Sequence, residues 1–144
     1  MTILLRHIDK YNILTIAGGV FPTFAPEKAI RNKEIDIISV GEGESPILEL
    51  CNRLRDGKDY SDISSLWIKK ENGDIVKNPI GKVTDINKNP LPDFSLFEEA
   101  RLYRPMAGKV YKMFPVETHI GCPYQCAYCN SPAQRKLHKN ANAG

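Results

Sequence analysis

Two short apolar runs, each closed by glycine, organise the first third of the chain: Ile13 to Ala17 (ILTIA) ends at Gly18-Gly19, and Ile35 to Val40 (IDIISV) ends at Gly41-Glu42-Gly43-Glu44. Runs of this length without strict alternation predict strands buried on both faces. Ile3 to Lys10 is a short helical pattern. Between the strands Pro22 and Thr23 read as loop, and Pro26 suits the first position of a brief helix through Ile30. Ser45 reads as an N-cap with Pro46 at the first helical position; Ile47, Leu50, Cys51 and Leu54 then share one face of a helix stopping near Gly57. On that pattern Cys51 is a packed core thiol. Leu66 to Lys70 and Asp74 to Lys77 flank Asn72-Gly73, a hairpin signal, with Trp67 packing on one face of it. Residues 86–92 are proline-rich and polar, and Phe94 to Tyr103 forms a short helix. Phe114 to Ile120 alternates loosely as a strand before Gly121 and Pro123 break it.

Strand, helix, strand, helix with continuous apolar strands is the pattern of an α/β fold with a parallel sheet covered by helices. Both glycine turns then fall at the carboxyl ends of strands, where open α/β sheets bind ligands. Each glycine pair reads equally as a plain turn. Glu42 and Glu44 read as a solvated loop.

Composition changes this picture only at one point. The chain has 144 residues, 42% of them apolar and 26% charged, which is globular material with no apolar run of membrane-spanning length. The net charge of +3 is uneven: residues 1–100 hold 13 basic and 16 acidic side chains, and residues 101–144 hold 7 and 1. That shift suggests a boundary near residue 100. The basic part suits a solvated face, an acidic redox partner or a phosphate-bearing substrate. Nothing in the pattern indicates nucleic acid. Four cysteines without a secretory signal argue against a disulfide framework and for a cytoplasmic setting.

Three of those cysteines, Cys122, Cys126 and Cys129, lie within eight residues as C-x-x-x-C-x-x-C. Thiolates are soft, charged donors, so such a cluster reads as a metal site. Three readings remain open here: zinc completed by His119 or His138, a cubane iron–sulfur cluster that keeps one iron free, or a chance cluster of thiols. The motif, with Tyr128 directly before its third cysteine, resembles the signature of the radical SAM (S-adenosylmethionine) superfamily. The resemblance implies a 4Fe–4S cluster on Cys122, Cys126 and Cys129, and Tyr128 near the adenine of S-adenosylmethionine. It further implies that the strand before the motif opens a partial TIM barrel, and that the enzyme generates a 5′-deoxyadenosyl radical with electrons from a partner such as flavodoxin or ferredoxin.

A second resemblance covers about residues 1–57: AGGVFPTFAPEKAI followed by DIISVGEGESPILEL is similar to the later half of the cobalamin-binding domain found before many radical SAM barrels. It implies that Gly18 and Gly19 lie against the nucleotide tail of cobalamin. The family's aspartate-x-histidine motif, which supplies a ligand to cobalt, has no counterpart here, and His7 in its helical pattern does not replace it. Together the two resemblances imply a fragment of a radical SAM enzyme of the cobalamin-binding type. Its expected parts are a partial Rossmann-like domain with a hairpin extension over residues 1–85, a linker over 86–112, and the start of the barrel with its cluster loop over 113–144. No catalytic side chain is assigned. Substrate contacts are expected in barrel segments beyond Gly144.

Overall fold

The computed structural model describes residues 11–116, 122–131, 133 and 136. The expected helix over Ile3 to Lys10, with His7, lies outside the described residues, as do His119 and His138. The chain divides into two bodies, Met1–Thr84 with Tyr124–Gly144, and Asp85–Pro123.

The first body is built on a four-stranded sheet in the order β1-β2-β3-β4, with β1 Ile16–Ala17, β2 Ile37–Ser39, β3 Leu66–Lys69 and β4 Ile75–Lys77. β1 and β2 pair in parallel, with Ile16 opposite Ile37. The chain between them makes two five-residue helices, α1 Val20–Phe24 and α2 Pro26–Ile30. Pro26 occupies the start of α2 as its fixed backbone angle favours. Pro22 and Thr23 are helical instead of loop: Thr23 N donates to Gly19 O at 3.1 Å and Ala25 N to Phe21 O at 2.9 Å. Pro22 sits in a first turn, where a missing N–H leaves no bond unmade.

The hairpin expected around Asn72-Gly73 forms and joins the same sheet through antiparallel pairing of β3 with β2, which makes the sheet mixed. Gly73 takes a positive φ of 87° in its turn. Trp67 is half-buried against the core, and Lys77 Nζ lies 4.8 Å from its ring centroid.

α3, Glu44–Arg55, begins two residues earlier than Ser45 as N-cap would set it, because Gly43 O accepts from Ile47 N at 3.0 Å. Two hydrophobic layers result. On one face Ile38 and Val40 pack with Ala29 and Ile30 of α2. On the other, Ile37, Leu66 and Ile68 pack with Leu50 of α3. Adjacent residues of β2 thus feed opposite cores, as a strand covered on both faces requires. Ile37 and Ile38 are fully buried, and each contributes about 1.5–3 kcal/mol. Cys51 corrects the sequence reading: it is exposed, as are Ile47 and Leu54. Only the line of α3 through Leu50 meets the sheet.

The second body holds two 3-10 turns, Phe94–Leu96 and Glu99–Leu102, where a single short helix was expected. A hairpin follows, β5 Tyr103–Met106 with β6 Lys109–Lys112. Phe114 to Val116 lie outside any strand, and the remainder of the strand expected there, residues 117–120, is outside the described residues.

Candidate functional site

The carboxyl ends of β1 and β2 carry the two glycine turns side by side in one body. Gly19 adopts φ 97° and Gly41 φ 92°, a region that side chains rarely enter. Among the described residues nothing lies within 4 Å of where a Cβ on Gly19 would stand, so none of them closes its outer face to an approaching group. Gly18 is packed from beneath, with Ser39 Cβ 3.7 Å from where its own Cβ would stand.

Thr23 locks the two turns together. Its hydroxyl donates to Gly19 O at 2.8 Å and accepts from Gly41 N at 3.1 Å, with only 7% of the residue exposed. Nothing in the linear pattern marks Thr23, because its partners lie on two different turns. Ser39, 1% exposed at the end of β2, keeps its Oγ without a hydrogen-bond partner among the described residues. That oxygen lies 3.9 Å from where a Cβ on Gly43 would be. Glu42 corrects the solvated-loop reading: its Oε2 accepts from Thr84 N at 2.6 Å and ties a distant segment to the second turn.

The cysteine motif has residues assigned to each of the two bodies. Cys122 is half-buried in one, and Cys126, Tyr128 and Cys129 are exposed in the other, Tyr128 at 92%. Cys129 N donates to Cys126 O at 3.1 Å, closing a turn that carries both thiols. Ser131 N lies 3.4 Å and Ser131 Oγ 3.3 Å from Cys129 Sγ. The Ser131 hydroxyl, then its backbone N–H, hold the Cys129 thiol below its ordinary value against a small opposing effect of burial. A thiol whose pKa is lowered gives up its proton to a metal more readily. Among the described residues no three Cys, His, Asp or Glu side chains converge as a metal-binding set. Three thiols in this spacing nevertheless match in kind the donors an iron–sulfur cluster takes.

No family model matches the chain. An uncharacterized methyltransferase of Pyrococcus horikoshii is 31% identical over 136 residues, which covers 91% of this chain and 28% of that protein. The anaerobic magnesium-protoporphyrin IX monomethyl ester cyclase of Synechocystis sp. is 25% identical over 130 residues, covering 90% of this chain and 25% of that protein. Among solved structures, the radical S-adenosylmethionine methyltransferase TsrM from Kitasatospora setae, with cobalamin and a 4Fe–4S cluster bound, superposes with a TM-score of 0.54. That match covers 91% of this chain and 27% of TsrM at 19% identity, a likeness of fold. In sequence the chain is similar to that methyltransferase and that cyclase, and in fold to a radical S-adenosylmethionine methyltransferase. It spans 28% and 25% of the lengths of the two curated relatives. The mixed α/β sheet with its parallel pair agrees with the α/β fold expected from the sequence. Among the described residues no helix is long and apolar enough to cross a membrane.

Proposed function

We propose that this chain is the part of a radical SAM enzyme that joins a cobalamin-binding-like domain to the cluster loop. Cys122, Cys126 and Cys129 hold a 4Fe–4S cluster, Tyr128 lies by the adenine of S-adenosylmethionine, and Gly18 and Gly19 lie against the nucleotide tail of cobalamin. The observation that carries the reading is the cysteine turn, in which Ser131 favours the thiolate of Cys129 and the Cys129 N–H bond to Cys126 O brings two donors into one loop. Bound there, the cluster supplies the electron for reductive cleavage of a sulfonium.

This chain's own contribution is to bind and orient. The thiolates anchor the metal, and an exposed Tyr128 is available to stack on a flat heterocycle. The open face of Gly19 admits close approach of a cofactor tail, with Thr23 holding the turn in place. A flavodoxin-like or ferredoxin-like protein fits the reducing partner.

Anaerobic reconstitution with iron and sulfide tests the reading. The expected product is a brown, oxygen-sensitive species with about four irons per chain, removed by Cys122→Ala, Cys126→Ala or Cys129→Ala and kept by Cys51→Ala. Stoichiometric zinc with no uptake of iron would overturn it.

A further inference from the structure

The β5–β6 hairpin of the second body has one open edge and one uncompensated positive face. Its register pairs Tyr103 with Lys112, Arg104 with Tyr111, Pro105 with Val110 and Met106 with Lys109. One step outside the first pair, Met113 N donates to Leu102 O at 2.8 Å. Hydrogen-bonded and non-hydrogen-bonded pairs alternate along an antiparallel ladder, so Arg104 with Tyr111 and Met106 with Lys109 exchange the inner bonds. The backbone N–H and C=O groups of Val110 and Lys112 therefore point away from β5. Both residues are exposed, and neither N–H has a partner among the described residues.

The opposite edge is blunted. On β5 the outward positions are Tyr103, whose N–H is already bonded to Ala100 O, and Pro105, which has no N–H to offer. A further strand is thus accepted at β6 and not at β5. Two strands alone make a marginal sheet in water, and a third on an open edge stabilises it.

Charge selects what adds there. Residues directly opposite share a face, so Arg104, Met106, Lys109 and Tyr111 form one surface, and all four are exposed. From Arg101 to Lys112 the chain has four basic residues and no acidic one. Arg101 is paired with Glu98 at 3.6 Å and Lys112 with Glu99 at 2.6 Å. Arg104 and Lys109 make no ion pair or hydrogen bond among the described residues. A second copy of the hairpin carries the same cations, so pairing β6 edge to edge with itself sets two uncompensated positive faces side by side. Nucleic acid meets the cations but lacks the alternating donors and acceptors that the β6 edge calls for.

We propose that β6 is a docking edge for an extended acidic segment of a partner protein. The segment adds as a third strand, its backbone bonded to Val110 and Lys112, its carboxylates on the face of Lys109 and Arg104, and an apolar side chain against Tyr111. Main-chain bonds supply the affinity of such an addition and side chains its selectivity. The proposal needs neither iron nor cobalamin, so it stands or falls apart from the cluster reading.

The test is a titration of the 144-residue chain with a short capped peptide of alternating glutamate and valine, followed by the amide resonances of Val110 and Lys112 and their exchange with solvent. Saturable shifts and slowed exchange at both amides are expected, weaker in high salt. The same peptide with lysine in place of glutamate should bind about fivefold or more weakly. Lys109→Ser should weaken the glutamate peptide about two- to fivefold, the effect of one opposite-charge cross-strand pair. Val110→Pro repeats on β6 what Pro105 does on β5 and should remove the slowed exchange at Lys112, while unchanged resonances of Arg104 and Tyr111 show that the hairpin is kept. Absence of saturable shifts with the glutamate peptide, equal binding of the lysine peptide, or indifference to Lys109→Ser and Val110→Pro in the folded variants would each overturn the proposal. Tighter binding of oligothymidylate on the same face would overturn it in favour of nucleic acid, and exchange that slows with protein concentration alone would overturn it in favour of a second copy.

Discussion

Replacing Thr23 by valine keeps the shape of the side chain and removes one oxygen, so it isolates the clip between the glycine turns. Gly19 O retains its backbone bond from Thr23 N at 3.1 Å, so the loss falls mainly on Gly41 N, whose hydrogen-bond partner is Thr23 Oγ1 at 3.1 Å. A net hydrogen bond contributes about 0.5–1.5 kcal/mol, and an N–H left buried without a partner costs about 1–3 kcal/mol. Gly41 is half-buried, so water recovers part of that cost. The expected loss for Thr23→Val is about 1.5–2 kcal/mol, an order of magnitude in the folding equilibrium. Thr23→Ser keeps the oxygen and sheds one methyl, worth about 0.8 kcal/mol if fully buried. Urea unfolding of the three proteins at matched slope gives the comparison directly. Amide exchange at Gly41 should quicken in the valine variant and not in the serine variant. If serine proves as damaging as valine, packing and not the hydroxyl holds the turns, and the reasoning fails.

Two further outcomes follow from the thiols. Cys51, exposed on α3, should be alkylated by iodoacetamide in the folded chain at a rate near that of an unfolded control, and mass mapping without denaturant decides it. Cys129 should react at lower pH than an ordinary thiol before any metal is loaded, because Ser131 stabilises its thiolate. Ser131→Ala removes the larger of the two Ser131 effects, so the alkylation midpoint should move upward in pH; an unmoved midpoint would count against that hydrogen bond.

What the linear pattern made legible is what rests on near neighbours. IDIISV, closed by glycine, announced β2, and Asn72-Gly73 announced the β3–β4 turn through its backbone preference alone; ILTIA was expected to be buried on both faces, yet only Ile16–Ala17 pair, and Ile13, Leu14 and Ile16 are exposed. The β5–β6 hairpin was not legible. Its two-residue turn needs positive φ at both positions, and Ala107, at φ 50°, is a residue that seldom adopts it, while Gly108 at φ 75° gives only half of the signal. Cys51 was misplaced because spacing identifies a helix face but not how wide a sheet lies beneath it. Thr23 and Glu42 act through partners 18 and 42 residues away, Gly41 and Thr84, and no local rule reaches that far. The three cysteines stood out by spacing, whereas the role of Ser131 beside Cys129 required the turn to be seen.

The position of β2 has a kinetic meaning. Ile68 pairs with Val76 inside the hairpin, eight residues apart, whereas Ile37 must find both Ile16 and Ile68 across 21 and 31 residues. Hairpins of this kind close in about 1–10 μs, and longer loops carry a larger closure entropy. β3 and β4 are therefore expected to form first and β2 to arrive as the committing event, since among the described residues β1 pairs with β2 alone. Substitutions at Ile37 and Ile38 should slow folding, while those at Ile16 should mainly speed unfolding, so that β1 is the first strand to leave when the native protein opens.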